Sequence, residues 1–134
     1  IQYSTAVRNA RLDVVETTIG ASAVLKIRTG AQPANCSVAD SGDVLATISL
    51  PSDWMAAASG GSKSKTGSAW EDTSADDDGT AAHFRIYASD GTTCHMQGTV
   101  TMTGAGGDMT VDNTSFAATQ SFTVTSFTIT AGNP

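Results

Sequence analysis

Apolar and polar positions alternate along most of this chain, and the alternation is clearest near its end. Residues 109–131 run Met-Thr-Val-Asp, then a polar loop, then Ser-Phe-Thr-Val-Thr-Ser-Phe-Thr-Ile-Thr. Large apolar residues alternating with threonine describe a strand with one buried and one wet face. Phe122 and Val124 are even-numbered, whereas Phe127 and Ile129 are odd-numbered. A single strand that buries all four needs an extra residue, so a β-bulge is predicted at Thr125 and Ser126. Residues 23–29 alternate as well, with Ala23, Leu25 and Ile27 inward and Val24, Lys26 and Arg28 facing water. Residues 44–50 place Val44, Ala46, Ile48 and Leu50 inward until Pro51 ends the strand. In residues 81–89, Phe84, Ile86 and Ala88 oppose His83, Arg85 and Tyr87. Asp90-Gly91 then reads as a tight hairpin in which both residues accept positive φ. The return strand, 92–103, carries Cys94, Met96, Gly98, Val100 and Met102 on one side.

Only residues 4–19 have a helical period. Ser4 or Thr5 supplies the N-cap, and Gly20 ends the helix in the left-handed conformation. Leu12, Val15 and Ile19 form one apolar row and Val7, Ala10 and Val14 an adjoining one, which leaves Arg8, Arg11, Asp13 and Glu16 outward. Residues 30–42, with Pro33, Asn35, Ser37, Asp40 and Ser41, read as a loop. Residues 52–79 are irregular and are expected to be mobile or shaped by contact with something else. The count comes to seven or eight strands. It predicts a mainly β chain: an antiparallel β-sandwich or jelly-roll-like domain with one N-terminal α-helix. Residues 1–134 form a single domain, with the helix at 4–19, the sandwich at 23–131 and an irregular insertion at 52–79.

Composition narrows the function classes. The net charge is −6 and only seven residues are basic, so no clustered Lys/Arg surface for nucleic acid is expected. No apolar run approaches the roughly 18 residues that span a bilayer, and no secretory signal opens the chain. Two cysteines, Cys36 and Cys94, are too few for a disulfide framework. They read as reduced, partly buried thiols, with a disulfide as the alternative.

Candidate chemistry is sparse. The hairpin turn places His83 near Gly98 and His95 near Ile86, so the two histidines are not partners and read as surface-facing. Two histidines without a third ligand do not make a zinc site. No Gly-x-Ser-x-Gly elbow or phosphate-cradling loop is present, and the acidic residues gather in one loop rather than on facing strands, so no enzyme is expected. That loop, Glu71 to Asp78, lacks the spacing of a calcium site. Asp76, Asp77 and Asp78 read as a solvated turn, with calcium the alternative. Trp54 and Trp70 flank a Gly-Ser-Lys segment and read either as interface or sugar-stacking anchors or as core plugs.

The run Ala6-Val7-Arg8-Asn9-Ala10-Arg11-Leu12-Asp13, followed by Glu16-Thr17-Thr18-Ile19-Gly20, resembles the opening of small virion proteins of tailed bacteriophages. Leu25-Lys26-Ile27-Arg28-Thr29-Gly30, Leu50-Pro51-Ser52-Asp53-Trp54-Met55 and Asp90-Gly91-Thr92-Thr93-Cys94 are similar to the same group. So is the ending, Phe127-Thr128-Ile129-Thr130-Ala131-Gly132-Asn133. The resemblance implies a non-enzymatic β-sandwich subunit, without cofactor or metal, in a virion assembled in the host cytoplasm. It would decorate the capsid, or sit at the collar or along the tail, as a symmetric homo-oligomer with a trimer favoured. Its partners would be the major capsid protein or other virion proteins, with no nucleic acid and no membrane. Tyr3, Val7, Arg8, Arg11, Trp54 and Trp70 are the expected interface residues. The alternative is a tail-fibre or tail-tip carbohydrate- or receptor-binding module using Trp54, Trp70, Tyr87 and the acidic loop.

The helical stripe carries one direct expectation. Leu12→Asp buries an unpaired charge and is expected to cost about 3 kcal/mol or more in a urea melt, whereas a free helical tail would leave the melt unchanged.

Overall fold

Ser4 caps the helix with its hydroxyl, which accepts from the Val7 amide at 3.4 Å, and α1 spans Thr5–Ile19. It is the one helix among the residues that the computed structural model describes, 1–132; Asn133, part of the ending on which the resemblance rests, lies outside them. Gly20 has the expected positive φ of 91°, but its ψ of 175° is extended rather than left-handed. Eleven strands follow among the described residues: β1 (Val24–Arg28), β2 (Val44–Ser49), β3 (Ser62–Ser64), β4 (Trp70–Asp72), β5 (Gly79–Thr80) and β6 (His83–Tyr87). The remainder are β7 (Cys94–Met102), β8 (Met109–Val111), β9 (Ser115–Phe116), β10 (Phe122–Val124) and β11 (Ser126–Thr130). Seven of them form one sheet in the order β2-β1-β6-β7-β8-β11-β3, and two small sheets pair β10 with β4 and β5 with β9. All pairs are antiparallel except β7 with β8, which run parallel. The chain is mainly β and sandwich-like with one N-terminal helix, as its alternation predicts.

The change of phase in the closing segment is real, but a bulge is not its cause. Phe122 and Val124 are buried in β10, on the small sheet with β4. After Thr125 the chain leaves that sheet, and β11 joins β8 and β3 in the large one, burying Phe127. A strand that crosses between layers must present opposite faces before and after the crossing, and that reverses the parity.

Residues 52–79 are likewise not an appendage to the sandwich. They contribute β3, β4 and five buried side chains: Trp54, Met55, Lys63, Trp70 and Ala75. Trp54 lies 5.9 Å from Trp70, Trp70 5.6 Å from Phe127, and Phe127 meets Phe84 edge-on at 5.6 Å. These offset and T-shaped contacts run from the irregular segment through the small sheet into the large one, which fixes the spacing of the layers.

The hairpin after β6 is wider than a two-residue turn. Gly91 has a φ of 67°, but Asp90 does not share it. The Asp90 carboxylate instead accepts from the Thr92 and Thr93 amides and the Thr93 hydroxyl, which holds its pKa down at about 2. Pairing runs Tyr87 to Cys94 and then Ile86 to Met96, so His95 is skipped and His83 faces Thr99 rather than Gly98.

The helix docks through its polar side. Leu12 and Ile19 are buried and Val15 is half-buried, as the first apolar row predicts, whereas Val7, Ala10 and Val14 are exposed. Asn9, Asp13 and Glu16, expected outward or unassigned, instead accept from the backbone of the segment after β2. Glu16 Oε1 accepts from the Trp54 and Met55 amides at 3.0 and 2.9 Å, Asp13 Oδ1 from Ala58 at 3.0 Å, and Asn9 Oδ1 from Gly61 at 2.9 Å. Lys63, only 3% exposed, pairs with both Asp13 and Glu16. One edge of this segment bridges residues 62–66, Met55 with Lys65 and Ser59 with Ser62; the amides on its other edge need acceptors, and the helix side chains supply them. Glu16→Ala would strand two amides and half of a buried lysine's pairing, and is expected to cost about 2–4 kcal/mol by urea denaturation. Glu16→Gln keeps an acceptor for the amides and is expected to lose less than half of that.

Candidate functional site

Every residue of β6 is buried. One face, Phe84 and Ile86, belongs to the apolar core. The other carries His83, Arg85 and Tyr87, which the alternation placed in water; they are 0%, 1% and 0% exposed. Arg28 of β1, also expected outward, lies beside His83 and is buried too. The cover is residues 30–43, which have no strand of their own and lie against this face.

The loop is held by its carbonyls. Arg28 Nη1 donates to Gly42 O at 3.1 Å, and Arg85 donates to Val38 O and Asn35 O at 3.1 and 3.2 Å. His83 Nδ1 lies 3.1 Å from Gly30 O, and Gln97 Nε2 donates to Pro33 O at 2.6 Å. An irregular loop offers many unpaired acceptors, and a guanidinium offers five donors in a fixed fork, so the two satisfy each other. Asp40 is the one carboxylate in the group. Its Oδ2 accepts from Arg28 at 2.7 Å, and its Oδ1 accepts from Arg85 and, at 2.8 Å, from the Tyr87 hydroxyl. Arg28 Nε, Arg85 Nε and His83 Nε2 have no hydrogen-bond partner among the described residues.

Burial sets the proton affinities. Desolvation pulls the Asp40 carboxyl up, but hydrogen bonds from Tyr87 and Arg85 and the charges of Arg28 and Arg85 outweigh it and hold it below its ordinary value. Desolvation lowers the His83 pKa, opposed by the hydrogen bond to Gly30 O and the charge of Asp40 and aided by the two guanidiniums. Burial and the Asp40 hydrogen bond push the Tyr87 phenol up to about 12. Lys26, which stands over the Tyr87 ring at 5.0 Å and donates to Gly91 O, closes one side of the group. Cys36 and Cys94, both half-buried free thiols, line the same open cavity of about 320 Å³ between loop and sheet.

The other expected site residues are scattered. Trp54 and Trp70 are core residues with no exposed surface, so neither is an interface or sugar-stacking anchor; Tyr87 is equally buried. Tyr3, just ahead of α1, and Val7 on it are 41% and 43% exposed, and the Arg11 guanidinium lies 5.1 Å from the Tyr3 ring centroid. Arg8 turns inward, donating from Nε to Ala131 O at 2.7 Å. The acidic run is taken up by local structure. Asp72 accepts from the Thr47 amide, Asp76 from the Thr47 hydroxyl, Asp77 from the Asp78 amide and Asp78 from the Ala118 amide. Among the described residues, no three His, Cys, Asp or Glu side chains gather as metal ligands, and no helix is long and apolar enough to cross a membrane.

No protein family, curated protein or solved structure matches this chain. What the molecule does is therefore argued from its own surfaces.

The buried group fixes the sign of the acid response. A histidine with a depressed folded pKa contributes stability that is full above its unfolded value, about 6.5, and is lost as the pH falls. Asp40, also depressed, contributes above an unfolded value of about 3.9 and loses that contribution at lower pH. The melting temperature is expected to be level from about pH 7 to 8 and to fall in two stages on acidification. His83→Gln should remove the upper stage, as followed by calorimetry from about pH 8 down to about pH 3.

Proposed function

We propose that this protein is a non-enzymatic bacteriophage virion subunit, a capsid decoration or minor head protein that binds the particle surface through subunit contacts. The observation that carries the reading is the outer face of α1. Val7, Ala10 and Val14 follow one another at three- and four-residue steps and are all exposed, Val14 at 60%, and Tyr3 is exposed just ahead of the helix. That spacing is the seam by which helices pack on one another, and it stands on the side of α1 away from the core. Arg11 lies beside it, over the Tyr3 ring. The residues that resemble small virion proteins of tailed phages include this helix, and the resemblance supplies the particle and the host cytoplasm where it assembles.

In this reading the subunit works as a homo-oligomer, with a trimer favoured, against the major capsid protein or another virion protein. It takes no cofactor, and nucleic acid and membrane are not its partners. The basic cluster acts as internal scaffolding, since its donors are directed at the covering loop. A receptor- or carbohydrate-binding role is less well supported, because Trp54, Trp70 and Tyr87 offer no exposed ring.

Val14→Asp tests the seam without disturbing the core. Its far-ultraviolet circular dichroism is expected to match the parent, because Val14 is exposed in the folded subunit. Sedimentation should show an oligomer for the parent and a monomer for the variant, and saturable binding to purified empty heads should fall at least tenfold. A parent that stays monomeric at tens of micromolar and ignores empty heads would sink the proposal.

A further inference from the structure

We infer that Cys36 and Cys94 form an oxidative cross-linking site, whose disulfide ties the 30–43 loop to the first residue of β7. The inference is independent of the proposed role in a virion. Both cysteines line one cavity, where the Cys94 thiol donates to Met96 O at 3.5 Å and the neighbouring Cys36 helps to raise its pKa.

The surrounding contacts hold each cysteine in place. Cys36 sits inside a turn closed by the Val38 amide on Asn35 O at 3.2 Å and by the Ser37 amide on Asn35 Oδ1 at 2.9 Å. The carbonyls on either side of it, those of Asn35 and Val38, both accept from Arg85. Cys94 is the strand partner of Tyr87, two residues from Arg85 on the same face of β6. One buried guanidinium therefore positions the turn that bears the first sulfur and stands next to the second. A disulfide needs two Cβ atoms brought close by a fixed backbone, and the shared cavity wall and common guanidinium hold both cysteines at one place in the fold.

The oxidant is a low-molecular-weight disulfide such as oxidised glutathione. The Cys36 thiolate attacks one sulfur of that disulfide, forming a mixed disulfide and releasing one glutathione thiolate. The Cys94 thiolate then attacks the Cys36 sulfur, forming the Cys36–Cys94 bond and releasing the second glutathione. The two protons lost by the cysteines leave on the two glutathione thiols, so two cysteines are oxidised and one glutathione disulfide is reduced. Burial, and then the contact with Cys36, push the Cys94 thiol up to about 11, which makes it the resolving sulfur.

The test treats the purified reduced protein with oxidised glutathione, blocks free thiols with iodoacetamide and reads intact mass and peptide map. The expected product has lost two hydrogens, stays the same size and yields one peptide linking residues 36 and 94. Cys36→Ser should stay unmodified and Cys94→Ser should accumulate a single glutathione adduct. Parent protein that carries glutathione on both cysteines, or forms covalent dimers, would overturn the assignment. A second reading does not depend on the variants. The closed loop spans more than fifty residues of unfolded chain, so oxidation is expected to raise the melting temperature by on the order of 10 °C and a reductant to reverse it. A linked protein that melts at or below the reduced one would show that the sulfurs do not sit at bonding geometry.

Discussion

Two buried guanidiniums sharing one carboxylate hold together a face of the sheet that would otherwise lie open. Asp40 is carried by a loop, whereas Arg28 and Arg85 are carried by adjacent central strands. Two positive charges against one negative charge do not balance by themselves. The remainder is met by carbonyl dipoles of the same loop, each aligned on a guanidinium or amide donor. Buried ion pairs seldom add much stability over apolar packing, because desolvation offsets the attraction. Their value here is geometric: they define where an irregular loop of low intrinsic order must lie. Remove that loop and β6 loses one of its two covered faces.

The opposite face is built on different physics. Phe84, Ile86, Phe127 and the two tryptophans pack into an apolar core, and the small β4–β10 sheet closes it with Trp70, Phe122 and Val124. The helix completes that side, but it is attached more by acceptors than by its apolar stripe. Asn9, Asp13 and Glu16 act on the 54–61 backbone as a strand partner would, one amide at a time. Both irregular parts of the chain are thus ordered by the same device, polar side chains of a regular element satisfying the backbone of a loop. In one case the side chains are donors and in the other acceptors.

Strand existence was legible in the sequence because alternation reports which residues share a face. The same alternation does not say what covers the second face. Lys26, Arg28, His83 and Arg85 look like a wet surface unless the cover is known, and the cover is a loop whose only long-range signal is Asp40. Trp54 and Trp70 were readable either way, since large aromatics in polar surroundings suit a core plug as well as an interface; their mutual contact with Phe127 decides it. The parity change before Phe127 was visible, and a bulge and a change of sheet give it the same signature. On the helix, hydrophobicity marked two candidate rows, and only tertiary contact shows that the row of Leu12 and Ile19 is inside. Of the expected interface residues, Tyr3, Val7 and Arg11 lie on the exposed side, whereas Arg8 is committed to Ala131.

The order of strands in the large sheet also bears on how the molecule assembles in time. In the large sheet β3 takes its place by pairing with β11, joining residues 62–64 to residues 128–130. Helix α1 rests on β3, and Arg8 reaches the Ala131 carbonyl. During synthesis the helix emerges before the strands, yet its seat is completed only after residues 126–131 have followed. More than a hundred residues must be made after the helix before it can settle. Such distant pairing makes folding slow and leaves the helix undocked, with Leu12 and Ile19 uncovered, for much of that interval.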